Sequence, residues 1–147
     1  MSKPQLYWQS VEPEQPLSSH YTLAITPTLI ADQVSGSQDY NIMHHDGDFA
    51  RSQGAPDMYL NTGFIEALLG RLITDWIGDA GWLKQLSTQM RRFNILGDQL
   101  TIQGKVTKKF IEGDEALVEC EIWIENDREG VSVTGKALVS LPQNNNN

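Results

Sequence analysis

Cysteine is nearly absent from this chain of 147 residues, and positive charge is scarce. Cys120 is the single cysteine, which excludes an internal disulfide and a cysteine-based metal site. The 11 Lys and Arg residues are outnumbered by 19 Asp and Glu residues, which gives a net charge of −8. Because a nucleic-acid groove needs a basic stripe, this charge balance argues against a nucleic-acid partner.

Long apolar runs are missing as well. Residues 1–5 lack the apolar core of a secretory signal, and no stretch approaches the roughly 20 apolar residues that cross a bilayer. We therefore expect a cytoplasmic protein with no membrane partner. The length fits one domain. This domain is predicted over residues 1–142, with 1–19 as an extended leader and 143–147 as a disordered polar tail.

The strongest helical pattern runs from Gly63 to Ile77. Its apolar residues recur in pairs at a four-residue interval, and a helix with so wide an apolar face must be largely enclosed. A second helix is predicted from Pro27 to Ser35, with Thr26 as its N-cap and Gly36 at its end. Residues Asp46–Arg51 are predicted to form a short third helix.

Alternation of apolar and polar residues predicts five β-strands around these helices. The predicted strands are residues 20–25, 86–93, 100–107, 116–125 and 131–141. Cys120 lies in the apolar register of its strand, so we expect it to be buried. Antiparallel strands that follow one buried helix indicate an α+β domain in which the sheet wraps around the helix.

Residues 39–46, Asp-Tyr-Asn-Ile-Met-His-His-Asp, bring a carboxylate, an amide and two imidazoles into one short segment. Asp39 and His44 lie five positions apart, close enough for one irregular loop to direct both side chains at a single water molecule. Such a pair can take a proton from water and return one, which is the acid–base chemistry of a hydratase or dehydratase.

Other interpretations of this segment stay open. Asp39 and Asn41 are common turn formers, because such side chains bond to their own backbone. The imidazoles and carboxylates of residues 44–48 also suggest a metal site. Adjacent histidines on an extended segment point apart, however, and no second ligand pair appears elsewhere, so no metal is expected. His45 is expected to face solvent or pack in the loop.

The segment resembles the hallmark of the MaoC-like acyl dehydratases, a hot dog fold family that includes the (R)-specific enoyl-CoA hydratases. The family pattern is Asp-x-Asn-Pro-x-His followed shortly by Asp. Here it reads Asp39-Tyr40-Asn41-Ile42-Met43-His44-His45-Asp46, with Ile42 in place of the proline. Gly97-Asp98-Gln99-Leu100 is similar to a second family motif, Gly-Asp-x-Leu. The resemblance covers about Trp8 to Pro142 and implies a single hot dog domain.

The resemblance implies an acyl-CoA hydratase or dehydratase, which adds or removes water across the 2,3 double bond of an enoyl-CoA thioester. Asp39 and His44 would activate the water, and Asn41 would support the loop. CoA is part of the substrate, so no separate cofactor is expected. Hot dog domains pair edge to edge, which implies a homodimer or a heteromer with another hot dog subunit.

The chain departs from the family at the start of the central helix. Asn61-Thr62-Gly63 stands where the hydratases usually carry His-Gly-Met, whose glycine N–H donates to the thioester oxygen. The resemblance implies that the Thr62 N–H takes over as oxyanion donor, with Asn61 and Gly63 beside it in the substrate site. The Thr62 Cβ would be strained if the backbone there adopted a conformation reserved for glycine.

Two alternative functions remain. A hot dog thioesterase would use one acidic residue on the central helix, where Glu66 is the one residue in position. A non-catalytic or partner-dependent subunit of a heteromeric hydratase is the other alternative, and the Asn61-Thr62 change indicates it.

An anionic substrate would need basic side chains near the site. The candidates for this contact are Arg51, Arg91, Arg92, Lys108 and Lys109.

Overall fold

The computed structural model describes residues 3–145, which form a five-stranded antiparallel sheet and three α-helices. The strands are β1 (Tyr21–Ala24), β2 (Trp82–Met90), β3 (Gln99–Glu112), β4 (Glu115–Asn126) and β5 (Gly130–Ser140). The helices are α1 (Pro27–Ser37), α2 (Gly47–Ser52) and α3 (Thr62–Ile77). The strand order is β1-β3-β4-β5-β2, and all neighbours are antiparallel. The predicted α+β class, with one sheet around a central helix, is confirmed.

Helix α3 supplies the centre of the core. Its buried face packs with the inward side chains of β3, β4 and β5. Full burial of one large aliphatic side chain stabilises the fold by about 1.5–3 kcal/mol. The seven buried residues of α3 are each at most 6% exposed, and they are Ile65, Leu68, Leu69, Leu72, Ile73, Trp76 and Ile77. The predicted enclosure of this helix is therefore confirmed.

The predicted leader forms an N-terminal strap, residues 3–18, along the middle of β3. The Glu14 N–H donates to the Val106 carbonyl at 2.8 Å, and the Leu17 N–H donates to the Gly104 carbonyl at 2.9 Å. Gln5 also caps the end of α3, since its side-chain amide donates to the Ile77 carbonyl at 2.8 Å. Of the predicted tail, residues 143–145 have no regular structure, and residues 146 and 147 lie outside the described part of the chain.

Helix α1 is longer than predicted. Gly36 lies within its last turn, and the helix ends only at Ser37. The next residue, Gln38, adopts a left-handed backbone with φ 55°, and this reversal is what ends the helix. The predicted cap is confirmed, because the Thr26 hydroxyl accepts from the Leu29 N–H at 3.1 Å.

Strand β2 differs most from prediction, since residues Trp82–Met90 replace the predicted 86–93. A register shift against β5 between Leu83 and Gln85 breaks the alternation that would have marked the strand's start. At the other end, the Arg91 and Arg92 N–H groups both donate to the Ser132 carbonyl, which interrupts the ladder. The predicted 100–107 strand is also longer, because β3 resumes pairing after an irregularity between residues 106 and 108.

Two glycines flank Ile122 in the middle of the sheet. Ile122 pairs with Gly104 on β3 and with Gly135 on β5, and its side chain is fully buried. A Cβ on Gly135 would lie 2.4 Å from the Ser87 carbonyl oxygen. Glycine within a strand marks such a close approach of neighbouring backbone. The close approach of β2 to β5 thus depends on the absence of a side chain at this position.

We predict that Gly135→Ala lowers the free energy of unfolding by about 1–3 kcal/mol, because the added methyl group overlaps backbone. Gly70→Ala is the matched control, since nothing lies within 4 Å of a Cβ at this position in α3. That control is expected to be neutral or to stabilise by up to ~1 kcal/mol through helix propensity. Urea denaturation of the two variants measures both effects, and equal stabilities would contradict the proposed backbone contact.

Cys120 is 1% exposed, and this burial raises the pKa of its thiol to about 12. Thiolate, rather than thiol, reacts with alkylating reagents. We therefore expect iodoacetamide at about pH 8 to leave the native protein unmodified and to alkylate it after denaturation, since unfolding restores an ordinary thiol pKa of ~8.5. Mass spectrometry of the two samples checks this, and rapid native labelling would show that the core opens.

Candidate active site

The loop between α1 and α2 carries the predicted acid–base pair and is shaped by its own Asx side chains. The Asp39 Oδ1 accepts from the Asn41 N–H at 3.2 Å, and the Asn41 side chain accepts from the Met43 N–H at 3.4 Å. A 3-10 turn, Ile42–His44, follows. Asp46 then caps α2 by accepting from the Phe49 N–H at 3.1 Å. Asp39 thus forms the turn through one oxygen and leaves Oδ2 for the site.

His44 is buried, with 7% of its surface exposed, and both ring nitrogens have defined neighbours. Nδ1 lies 2.9 Å from the Tyr59 carbonyl oxygen, and Nε2 lies 3.4 Å from Asp39 Oδ2. A carbonyl oxygen only accepts, so the neutral imidazole carries its hydrogen on Nδ1. In this neutral form, Nε2 is the nitrogen without hydrogen, and it faces the Asp39 carboxylate.

A cleft of about 370 Å³ lies beside this pair at the N-terminus of α3. The structure brings together Asp39, His44, Thr62 and Gly63, which all line the cleft. Asn61 and Asn41 are not among the lining residues: Asn61 is buried beneath the cleft, and Asn41 faces solvent. The remaining walls come from the segment before α3, the first turn of α3, the end of β2 and the residues after it, and they comprise Tyr59, Leu60, Ile65, Met90, Arg92, Phe93 and Asn94.

The N-terminus of α3 presents free N–H groups to the cleft. Asn61 is the N-cap, and its side-chain oxygen accepts from the Phe64 N–H at 2.7 Å. Within residues 3–145, the N–H groups of Thr62 and Gly63 have no acceptor. The strain anticipated at Thr62 is absent, because Glu14 and Gln38 are the non-glycine residues with positive φ in this part of the chain. A helix N-terminus with unpaired donors stabilises negative charge.

Of the five cations considered for an anionic substrate, one borders the cleft. Arg92 lies in the cleft wall and forms an ion pair with Glu129 at 3.4 Å. The other four have contacts elsewhere. Arg51 pairs with Asp48 and Asp57, Arg91 bonds to Thr134, and Lys108 and Lys109 lie over the rings of Phe110 and Trp8.

Glu66, the residue in position for a thioesterase, does not line the cleft. Its carboxylate accepts from the Thr88 hydroxyl at 3.3 Å, across to β2. His45 is exposed, as expected. Among the described residues, no group of three or more His, Cys, Asp or Glu side chains is placed to hold a metal ion. No helix in residues 3–145 has the length and hydropathy to cross a bilayer.

Gln33 and Tyr59 are the site neighbours that the sequence analysis missed. Gln33 is 1% exposed, and its side chain bonds to the backbone of Asn61, Tyr59 and His44. The sequence feature that could have identified Gln33 is its position on the apolar face of α1, three residues after buried Ile30. The Tyr59 ring lies edge-on to His44, with centroids 4.9 Å apart, while its carbonyl orients the imidazole.

No family model matches the sequence. Over 81 residues the chain is 31% identical to the 3-oxo-4,17-pregnadiene-20-carboxyl-CoA hydratase beta subunit of Mycobacterium tuberculosis. The match covers 55% of this chain and 63% of that relative, so it spans less than two thirds of the relative's length.

Solved structures match over nearly the whole fold. The ChsH1-ChsH2 complex from Mycobacterium tuberculosis contains a chain that is 26% identical with a TM-score of 0.79, and the match covers 88% of this chain and 98% of that one. The (R)-hydratase from A. caviae involved in PHA biosynthesis gives a TM-score of 0.79 at 22% identity, with 91% and 99% covered. The MaoC-like dehydratase from Rhodospirillum rubrum gives 0.78 at 17% identity, with 95% and 98% covered. The predicted resemblance is thereby confirmed, because this chain has the hot dog fold of the MaoC-like dehydratases and (R)-hydratases.

Proposed function

We propose that this chain is an acyl-CoA hydratase or dehydratase, which adds or removes water across the 2,3 double bond of an enoyl-CoA thioester. The observation that carries this proposal is the 3.4 Å approach of Asp39 Oδ2 to His44 Nε2 in the cleft at the start of α3. The hydratase named above supports the reaction class and offers a first acyl group to test.

Water activation would fall to the two facing atoms. With Asp39 ionised and His44 neutral, neither Oδ2 nor Nε2 carries hydrogen, so a water that donates to one lies within reach of the other. In hydration, the water oxygen bonds to Cβ, its O–H bond breaks, and the proton passes to the pair. The pair then delivers one proton to Cα. Dehydration is the reverse.

The thioester carbonyl would lie against the N-terminus of α3. Negative charge develops on this oxygen as Cβ is attacked, and the Thr62 N–H would donate to it, with Gly63 adjacent. Preorganised donors of this kind typically contribute ~10²–10³ in rate. The dipole of the 16-residue helix α3 acts in the same direction. CoA enters as part of the substrate, and the mechanism uses no separate cofactor or metal.

A second hot dog subunit would complete the molecule. β2 is an edge strand of nine residues, and its outer edge has no partner among residues 3–145. Trp82 at its start is 70% exposed, and Met90 at its end is 41% exposed while it lines the cleft. An unpaired strand edge favours pairing with another chain, and exposed apolar side chains beside it add to this tendency. We therefore propose that a partner, either a second copy or an unlike hot dog chain, pairs along β2 and covers the cleft.

We predict that Asp39→Asn and His44→Ala each lower kcat for enoyl-CoA hydration by at least ~10²-fold while the fold persists. His45→Ala is the matched control, because this neighbouring imidazole is exposed and outside the cleft. The assay follows loss of the enoyl thioester absorbance with short, long and steroid-like acyl groups, with and without a hot dog partner.

Three outcomes would each overturn part or all of the assignment. Near-normal hydration in both site variants would remove Asp39 and His44 from the chemistry. Release of free CoA by the wild type, detected with a thiol reagent and abolished by Glu66→Gln, would instead identify a thioesterase. Absence of hydration with every partner tested would leave a non-catalytic subunit as the function.

The partner surface is tested by placing a charge on the β2 edge. Trp82→Lys is expected to weaken dimerisation at least ~10-fold, because a large exposed aromatic side chain at an interface commonly dominates its affinity. Ile111→Lys is the control, since this residue is 48% exposed near the end of β3. Sedimentation velocity of the wild type and both variants, over a range of protein concentrations, distinguishes monomer from dimer. A dimer that is indifferent to Trp82→Lys contradicts pairing through β2, and a monomeric wild type indicates an unlike partner.

A further inference from the structure

Helix α1 directs two polar side chains at the acid–base loop, although neither belongs to the proposed chemistry. Gln33 and Ser37 lie four residues apart and therefore share one face of the helix. Gln33 is fully enclosed, and its amide is completely used. Its Oε1 accepts from the Asn61 N–H at 2.8 Å, and its Nε2 donates to the carbonyls of Tyr59 at 3.1 Å and His44 at 3.4 Å.

Ser37 makes the complementary set of contacts. Its hydroxyl donates to the Gln33 carbonyl at 2.5 Å, within α1. The same oxygen accepts from Asn61 Nδ2 at 2.9 Å and from the Asp39 N–H at 3.3 Å. Ser37 thus joins the residue that carries the carboxylate to the residue that caps α3. Gln33 does the same for the imidazole, since it bonds to both the His44 and the Asn61 backbone.

Two features show why these bonds matter for the reacting atoms. The Tyr59 carbonyl accepts from both Gln33 Nε2 and His44 Nδ1, so Gln33 fixes the acceptor that sets the His44 ring and its tautomer. Asn61 is the residue from which α3 starts, so its position sets the direction of the Thr62 N–H. The buried Gln33 amide therefore positions both the His44 imidazole and the Thr62 N–H.

We propose that Gln33 and Ser37 are positioning residues that hold the Asp39–His44 loop in a fixed position relative to the N-terminus of α3. The proposal rests on the proposed function as far as turnover is concerned, but the geometry it describes exists without substrate. Burial of a Gln amide is unfavourable unless every polar atom is bonded, and an apolar side chain would fill the same space. A misplacement of about 1 Å between reacting groups is enough to cost ~10²-fold in rate.

The test uses variants that remove the bonds separately. Gln33→Met removes all three hydrogen bonds but keeps a side chain of similar length. Gln33→Glu keeps an acceptor for the Asn61 N–H and loses the donors to the Tyr59 and His44 carbonyls. Ser37→Ala removes the hydroxyl, and Ser37→Thr restores it. Ser35→Ala is the matched control, because this exposed hydroxyl of α1 bonds to Asp32 and has no site contact.

The first measurement is the His44 tautomer by ¹⁵N NMR at about pH 9, where imidazoles of ordinary pKa are neutral. The chain has 3 His residues, so the spectrum is simple and the His44→Ala variant assigns it. The wild type and Ser35→Ala are expected to show hydrogen on Nδ1 alone, and the Gln33 variants a mixture of tautomers. An unchanged single tautomer in both Gln33 variants overturns the role of Gln33.

The second measurement is turnover with the wild-type partner. Gln33→Met, Gln33→Glu and Ser37→Ala are expected to lower kcat ~10–10²-fold with KM little changed, and Ser37→Thr to recover most of the loss. A loss of thermal stability with unchanged kcat in Gln33→Glu and Ser37→Ala would make the network merely structural. If Gln33→Met does not fold, Gln33→Glu and Ser37→Ala decide. If the wild type shows no hydration, the proposed function fails, and the tautomer alone decides the positioning role.

Discussion

The hydrogen bond from His44 Nδ1 to the Tyr59 carbonyl is the contact on which the candidate site depends. It orients a buried imidazole, places the hydrogen of the neutral ring on Nδ1, and leaves Nε2 facing Asp39. Without this contact Asp39 and His44 would still be close in sequence, but their side chains would not be directed at the same water molecule. The carbonyl is available because residues 59–61 run extended into α3, where Asn61 begins the helix.

The fold provides this contact by enclosing α3. The sheet and the N-terminal strap bury one face of the helix along its length and leave its N-terminus open at the cleft. Polar groups at that end are held by bonds to α1 and to the loop, whereas the C-terminal end is capped by Gln5. The site is therefore assembled from three segments that each contribute backbone as well as side chains. The buried face of α3 stabilises the fold, whereas its N-terminus contributes to the candidate site.

Much of this architecture was predictable from the sequence, for identifiable reasons. The period of α3 and the alternation of β4 are strong because each packs one face in the core and leaves the other more exposed. The limits of β2 were wrong, because a register shift and a doubly bonded Ser132 carbonyl break the pattern. Asp39 and His44 were predicted together from their spacing and motif. Gln33 was missed because its partners are mostly backbone groups, which carry no side-chain signal.

The site also explains the departure from His-Gly at the start of α3. Asn61 caps the helix and bonds to Ser37, and Thr62 adopts an ordinary backbone, so this replacement keeps the N–H groups available. The most direct test of the account is a crystal structure of the assembled protein with a bound 3-hydroxyacyl-CoA. We expect the substrate hydroxyl within hydrogen-bond distance of both Asp39 Oδ2 and His44 Nε2, and the thioester oxygen on the Thr62 N–H. A hydroxyl bound away from both side chains would contradict it.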